Sequence, residues 1–369
     1  MTTLPLPLIG LDGSRLARSQ ATGTETYSDR IIRGLVGHSD SAQWRVYVNK
    51  LPEVPLPADI EVRQLIAQRL WTHARLSREM QASPPDLLFV PAHVVPLRHP
   101  RTVVTLHDLG YVHYPKAHPR QQRFALDLST RWSARAAHHI IVPSEATAYD
   151  VRSILRVPAS KITVIPHGVD ERFGRATAED AEKARSRLSL GKPYVLALGT
   201  IQPRKNLPLL ARAIALLVGR GHDIDLVIAG KRGWLSGEVM REIEACGLGD
   251  RFRHLDYVPH ELLPGLIAGA ECLAQPSLFE GFGLPVLEAM AAGTPVVAAR
   301  GSSLPEVGGD AVLYFDPQSG VELADQIGSI LGSDSVRDDL ARAGRSRSRG
   351  YSWEACVNST LNVLLDSVR

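Results

Sequence analysis

Residues 276–299 read PSLFEGFGLPVLEAMAAGTPVVAA, and this stretch decides the fold. Glu280 and Glu288 stand eight positions apart on either side of the turn Gly281-Phe282-Gly283. Pro285 falls where a fixed φ and a missing N–H suit the first turn of a helix. Residues 286–292 are mostly strong helix formers, Gly293 stops them, and 294–298 reads as a buried strand. A glycine turn whose N–H groups lead into a helix N-terminus is an anion site. Glu280 precedes it and Glu288 lies one turn into the helix, so one element offers donors to phosphate and acceptors to hydroxyls. A sugar nucleotide carries both kinds of partner. A unit that served only the core has no use for a glutamate followed by an open glycine turn.

The same strand–helix alternation extends in both directions. Before residue 175, strands are expected at 4–10, 44–48, 86–90, 101–106, 138–142 and 161–165, with helices at 24–36, 67–81 and 119–137. After residue 190 the pattern restarts, with strands at 194–198, 225–229, 252–255, 271–275, 294–298 and 311–314. Residues 171–190 are charged, rich in alanine and poor in large apolar side chains, and read as a connection. A final helix over 351–368 follows an Arg/Ser run at 345–349. Alternation of this kind implies doubly wound parallel sheets, whose ligands sit at the C-terminal strand ends. A length of 369 residues exceeds one ordinary core, so two such domains are expected.

Composition excludes several classes. At 44% apolar and 22% charged, the chain is ordinary globular protein. Cys246, Cys272 and Cys356 are few, odd in number and without a CxxC pair, which argues against a disulfide framework or a zinc site and fits a reducing cytosol. The N-terminus, MTTLPLPLIGLD, reads as a first strand, since it lacks a basic leader segment and a cleavage site. No uncharged apolar run reaches about eighteen residues, so no span is expected. The net charge of +3 conceals an asymmetry: residues 1–175 hold 22 Lys and Arg against 15 Asp and Glu, and 176–369 hold 20 against 24. The basic half is the one expected to meet an anionic partner; nothing points to nucleic acid.

FEGFGLPVLEAMAAGTPVVA resembles, nearly position for position, the E-x7-E motif of the large retaining glycosyltransferase family that includes sucrose synthase and the bacterial phosphatidylinositol mannosyltransferases. The resemblance covers most of the chain and is strongest over 194–316. It implies the GT-B fold: two Rossmann-like domains facing across a cleft, with the last helix crossing back to the first domain, where Trp353 is placed to anchor it. The expected division is 1–175 with 351–369 on the acceptor side, and 191–345 for the donor. It further implies transfer of a hexose from a nucleotide sugar to an acceptor hydroxyl with retained anomeric configuration. TLHDLGYVHYP together with GTIQPRKNL looks most like bacterial polysaccharide mannosyltransferases, which makes GDP-mannose the first donor and a UDP-hexose the second. A catalytically silent sugar-nucleotide binder is the alternative outside enzymology; a phosphorylase lacks a lysine or phosphate pocket to support it.

The resemblance assigns roles residue by residue. Lys205 and Arg204, after the first strand of the second half, face the departing diphosphate, helped by the N–H groups of Gly281, Phe282, Gly283 and Leu284. Many relatives carry an arginine where this chain has Thr200, a departure that leaves open whether Arg204 takes over the missing cation. Glu288 accepts ribose hydroxyls, and Glu280 accepts sugar hydroxyls. His107 touches the sugar from the opposite wall. Gly23 and Thr24 form the small-residue loop that approaches the phosphates, and Val258 lines the nucleobase pocket. His167 stands in a signature that usually carries Asn and marks a hinge. Asp108 and the aromatic run 111–114 are candidates for the acceptor side.

Asp223-Ile224-Asp225 is a D-x-D pattern, but it precedes a strand and so lies at the wrong end for a cleft metal. No metal and no cofactor are expected. Finally, Arg120, Arg131 and Arg135 fall near one face of the 119–137 helix at 100° per residue, with Phe124 and Leu128 on a neighbouring stripe. Lys116 and Arg123 flank them, and Arg69, Trp71, Arg75 and Arg78 make a second basic segment. Two solvated helices are the plain reading; the functional one is a saccharide or lipid-linked saccharide acceptor, the latter phosphate-bearing and at an anionic inner membrane face. The expected location is cytoplasmic and peripheral.

Overall fold

The computed structural model describes residues 5–16, 23–67 and 70–369. The chain divides into two compact units: residues through Leu109 with Phe124–Gly168 and Trp353–Arg369, and Gly110–Arg123 with Val169–Ser352. Each is built on a parallel sheet, as the alternation predicts.

The first unit contains, among the described residues, β1 (Leu8–Asp12), β2 (Gln43–Val48), β3 (Glu61–Gln64), β4 (Leu87–Val90), β5 (Arg101–Thr105), β6 (His139–Val142) and β7 (Ile162–Val164), in the order β3-β2-β1-β4-β5-β6-β7. The central strand β4, Leu-Leu-Phe-Val, is buried throughout, the pattern of a parallel sheet covered on both faces. The first strand runs four residues beyond Leu8 to Asp12, later than the expected 4–10; residue 4 lies outside the described residues. β3 was not expected, because Glu-Val-Arg-Gln is a polar edge strand without an apolar run. The helix expected over 67–81 is a π-helical segment, Trp71–Leu76, followed by Ser77–Ala82; Arg69 lies outside the described residues. Helix Trp353–Val368 returns to this unit and buries Cys356, Val357, Leu361 and Leu364 in its core. It meets helix Gly23–Val36 so closely that a Cβ on Gly34 would overlap Val357. The Trp353 ring lies nearly parallel to His167 at 6.1 Å, the anchoring contact expected of it.

The second unit contains β8 (Tyr194–Leu198), β9 (Asp225–Ala229), β10 (Phe252–Leu255), β11 (Cys272–Gln275), β12 (Val296–Ala299) and β13 (Leu313–Phe315), ordered β10-β9-β8-β11-β12-β13. The order reverses between β8 and β11, so the topological switch point lies at their C-terminal ends. Two expectations are corrected here. Residues 171–190 are not a loose connection: helices Glu171–Gly174 and Ala178–Arg187 bury Phe173 and Ala184 in this unit's core. With Leu190 just beyond them these few side chains suffice, which a count of apolar residues misses. Residues 110–123 also belong to this unit rather than to the first half: His113 stacks on Phe279 at 4.8 Å, and the Trp234 indole N–H donates to Ala117 O at 2.7 Å. The Arg/Ser run is structural. Arg345 donates to Ala292 O (3.3 Å), and Arg347 to Val307 O and Glu306 O (both 2.6 Å), satisfying carbonyls at two helix C-termini.

Candidate functional site

The switch point gathers the second unit's chemistry. β8 ends at Leu198, and Gly199 turns the chain at φ 127°. A Cβ there would lie 3.1 Å from Lys205 Cε, so the glycine makes room for the lysine to fold back. Beyond it, Ile201 exchanges hydrogen bonds with the chain after β9, from Ile201 N to Lys231 O and from Gly233 N to Ile201 O (both 2.9 Å). A 3-10 turn, Pro203–Lys205, follows, and Leu278 N donates to Arg204 O at 2.9 Å, joining this turn to the segment after β11.

That joint brings two distant residues together. Lys205 Nζ lies 2.6 Å from Glu280 Oε1, and Arg204 Nη1 lies 3.3 Å from Glu280 Oε2 while also donating to Phe279 O. Gln275, the last residue of β11, donates to Glu280 Oε1 at 2.8 Å. Glu280 N donates to Ser302 Oγ, and Ser303 Oγ donates to Glu280 O and Phe282 O, each at 2.9 Å. Lys205, Arg204 and Glu280 side chains are all nearly buried. Burial opposes the carboxylate's charge, but Lys205 and Arg204 overcome it and hold the pKa down at about 2. Glu280 is therefore a fixed anion at any physiological pH. Its partners Gln275, Ser302 and Ser303 were not singled out in the sequence, although all three sit at C-terminal strand ends.

Gly283 opens helix Leu284–Ala292 at φ 109°, where a Cβ would lie 2.8 Å from Leu304 Cδ2. Val286 N and Leu287 N both return to Gly283 O, at 3.0 and 3.2 Å. Glu288, half-buried in that helix, meets a different environment. Burial pushes its pKa up to about 8, against the nearby Arg172 and with the help of Asp170. No hydrogen bond to its carboxyl is present among the described residues. The two glutamates thus sit in opposite charge states near neutral pH, a separation created by their surroundings. Neither Asp170 nor Arg172 was identified from sequence, since nothing in the 170–172 stretch signals contact with residue 288.

Val258 packs into the core of this unit, with Tyr257 half-exposed beside His260 at 6.2 Å. Thr200 Cγ2 faces Gly233, where a Cβ would meet it at 2.6 Å. Asp225 begins β9, and Asp223 is tied to Lys192 (3.0 Å) and Arg251 (2.6 Å), so the D-x-D pattern lies at the strand end remote from Gly199. Among the described residues no group of three His, Cys, Asp or Glu is arranged to hold a metal ion.

In the first unit, His107 follows β5 and is more deeply buried than expected. Its Nε2–H donates to Pro91 O at 2.8 Å, which leaves Nδ1 as the lone-pair nitrogen. His107 N donates to His93 Nε2 at 3.3 Å, and the rings of Tyr27, His93 and His167 lie 4.9, 5.3 and 5.6 Å away. Burial, reinforced by His93, holds His107 neutral with a pKa of about 3, against the Pro91 carbonyl and Asp108. Gly23 and Thr24 open helix Gly23–Val36, with Ser28 Oγ donating to Thr24 O at 2.8 Å and Glu25 paired to Arg15 at 3.1 Å. Residues 17–22 lie outside the described residues. Arg120, Arg131 and Arg135 are exposed on helix Arg120–Ala136.

Comparison with known proteins agrees with this architecture. The model of the family "Glycosyl transferases group 1" matches residues 178–347, and that of "Glycosyltransferase Family 4" matches 23–173. The O-antigen chain mannosyltransferase B of Escherichia coli is 33% identical over 275 residues, covering 74% of this chain and 72% of that one. Two solved structures share the fold. Sucrose-phosphate synthase from Thermosynechococcus elongatus has a TM-score of 0.77 at 21% identity, over 97% of this chain and 98% of that one. The Anabaena protein HepE, solved with UDP-glucose, has a TM-score of 0.77 at 20% identity, over 98% and 100%. The fold is GT-B, and the chain belongs to the glycosyl transferases group 1 family.

Proposed function

We propose that this glycosyltransferase moves a hexose, mannose from GDP-mannose in the first instance, onto an acceptor hydroxyl with retention of configuration. The observation that carries the reading is the Lys205–Glu280–Arg204 cluster beside the Gly281–Gly283 turn. The mannose assignment rests on the Escherichia coli relative, whose name records that sugar. Lys205 and Arg204 stabilise the diphosphate as negative charge develops on it, and the N–H groups between Gly281 and Leu284 take phosphate oxygens. Arg204 supplies the cation that Thr200 does not. Glu288, half-buried and without a hydrogen bond to its carboxyl among the described residues, accepts ribose hydroxyls. Glu280 accepts sugar hydroxyls and orients the ring.

The charge states restrict the chemistry. A carboxylate with a pKa of about 2 and an imidazole with a pKa of about 3 are both poor bases at neutral pH. The reading therefore has the leaving phosphate accept the acceptor's proton, as the C–O bond to phosphate breaks and the new C–O bond forms on the same face. A thermal-shift screen of nucleotide sugars tests it. A donor at 100 times its dissociation constant adds about 2.7 kcal/mol of stability. GDP-mannose should give the largest shift and be slowly hydrolysed to GDP and free sugar. A larger shift with a UDP-hexose would replace the donor assignment, and no shift with any nucleotide sugar would defeat the reading.

A further inference from the structure

Helix Arg120–Ala136 has its burial inverted. It buries Thr130, Ser133 and Ala134, yet leaves Phe124 72%, Leu128 63% and Trp132 36% exposed. At 100° per residue, Arg120, Arg131, Phe124, Arg135, Leu128 and Trp132 fall in that order within an arc of about 120°. A surface helix ordinarily turns its large apolar side chains to the core, so this stripe is built for something outside the chain. Trp132 is held in place, with its indole N–H donating to Val95 O at 3.1 Å and His99 edge-on at 6.3 Å. The helix C-terminus is fixed as well, by Lys161 Nζ on Ala134 O (2.9 Å) and Arg135 O (3.1 Å).

We propose that this face docks on an anionic lipid surface, with Phe124, Leu128 and Trp132 entering the headgroup–acyl boundary and the arginines meeting lipid phosphates. Charge selects the occupant. The helix carries four arginines against one acid, and that acid, Asp127, is engaged by Arg131 at 2.9 and 3.0 Å. A second copy of the chain would set like charges against one another. A protein partner would have to bring acidic groups of its own to meet arginines spread along the whole arc. A bilayer surface accepts both, because arginine stems lie along apolar surface while their heads reach phosphate. The inference stands apart from the nucleotide-sugar reading, since it uses none of those residues.

The test is sedimentation of the full chain with vesicles of phosphatidylcholine alone and with added phosphatidylglycerol. The wild-type chain should pellet with the anionic vesicles at about 0.05 M salt and release at about 0.5 M. F124S/L128S and, separately, R120E/R135E should each weaken binding by about tenfold or more, with GDP-induced thermal shifts unchanged. Bromine-labelled phosphatidylglycerol should also quench wild-type tryptophan fluorescence, and W132F should lose most of that quench; this arm needs no altered helix surface in the parent measurement. Absence of pelleting at low salt, binding indifferent to F124S/L128S, absence of quenching, or a dimer that F124S/L128S dissociates would each overturn the proposal.

Discussion

Glu280→Gln separates the roles assigned to the cluster. The glutamine keeps the shape and removes the charge that faces Lys205 and Arg204, both nearly buried. The stability at stake follows from linkage. Glu280 has a folded pKa of about 2 against an ordinary 4.5, so its contribution is present above pH 4.5 and is lost as pH falls from 4.5 towards 2. Two and a half pH units correspond to about 3 kcal/mol near neutrality, within the range for breaking a buried ion pair. For a unit of this size, that is a fall in Tm of roughly 6–12 °C. GDP should behave oppositely. With the competing carboxylate neutralised, the two cations face the diphosphate with more uncompensated charge, so the variant should bind GDP as tightly as wild type or more so. Transfer should nevertheless fall, on the order of 10²-fold, because the sugar loses its orienting acceptor. Calorimetry at pH 7 and pH 3, with and without GDP, reads all of this except transfer. A variant with wild-type Tm at pH 7, or with weakened GDP binding, would refute the reasoning.

Lys205→Ala should lower transfer by about 10²-fold and weaken GDP binding, as loss of one electrostatic stabiliser does; unchanged kinetics would remove it from the site. Glu288→Gln has a pH signature. The folded pKa of about 8 means that Glu288 stabilises the fold fully below pH 4.5 and that this is lost as pH rises through 8. The variant should flatten that decline, gaining on the order of 2 kcal/mol at pH 9 once partial exposure is allowed for. GDP binding at pH 7, if ribose requires the ionised carboxylate, should release a fraction of a proton in wild type and none in the variant, measurable by titration calorimetry in buffers of different ionisation enthalpy. Transfer should survive excess EDTA, whereas activity abolished by chelation and restored by Mn²⁺ would assign the charge neutralisation to a metal.

The parallel sheets were legible because buried strands such as β4 and β12 are unbroken apolar runs, and because Gly283, Pro285 and Gly293 mark the limits of the site helix. What escaped depended on tertiary contact. Lys205 and Glu280 were read as serving different parts of a ligand; their direct ion pair spans 75 positions and arises only because β8 and β11 are neighbours. Glu288's raised pKa follows from burial, with Asp170 adding to it and Arg172 opposing it, and the 171–190 stretch reads as a connection because Phe173 and Leu190 are its large buried side chains. His107 was correctly placed at a strand end, but its packing among Tyr27, His93 and His167 joins residues scattered over 140 positions. β3 escaped for the converse reason, since an edge strand needs no apolar signal.

The central claim is that the turn and cations of the second unit bind the donor diphosphate. A crystal structure of the full chain with GDP tests it most directly. The account predicts the diphosphate within hydrogen-bonding distance of Lys205 or Arg204 and of the N–H groups between Gly281 and Leu284, with the ribose on Glu288. A diphosphate bound to the first unit, with none of 199–205 or 280–288 in contact, would contradict it.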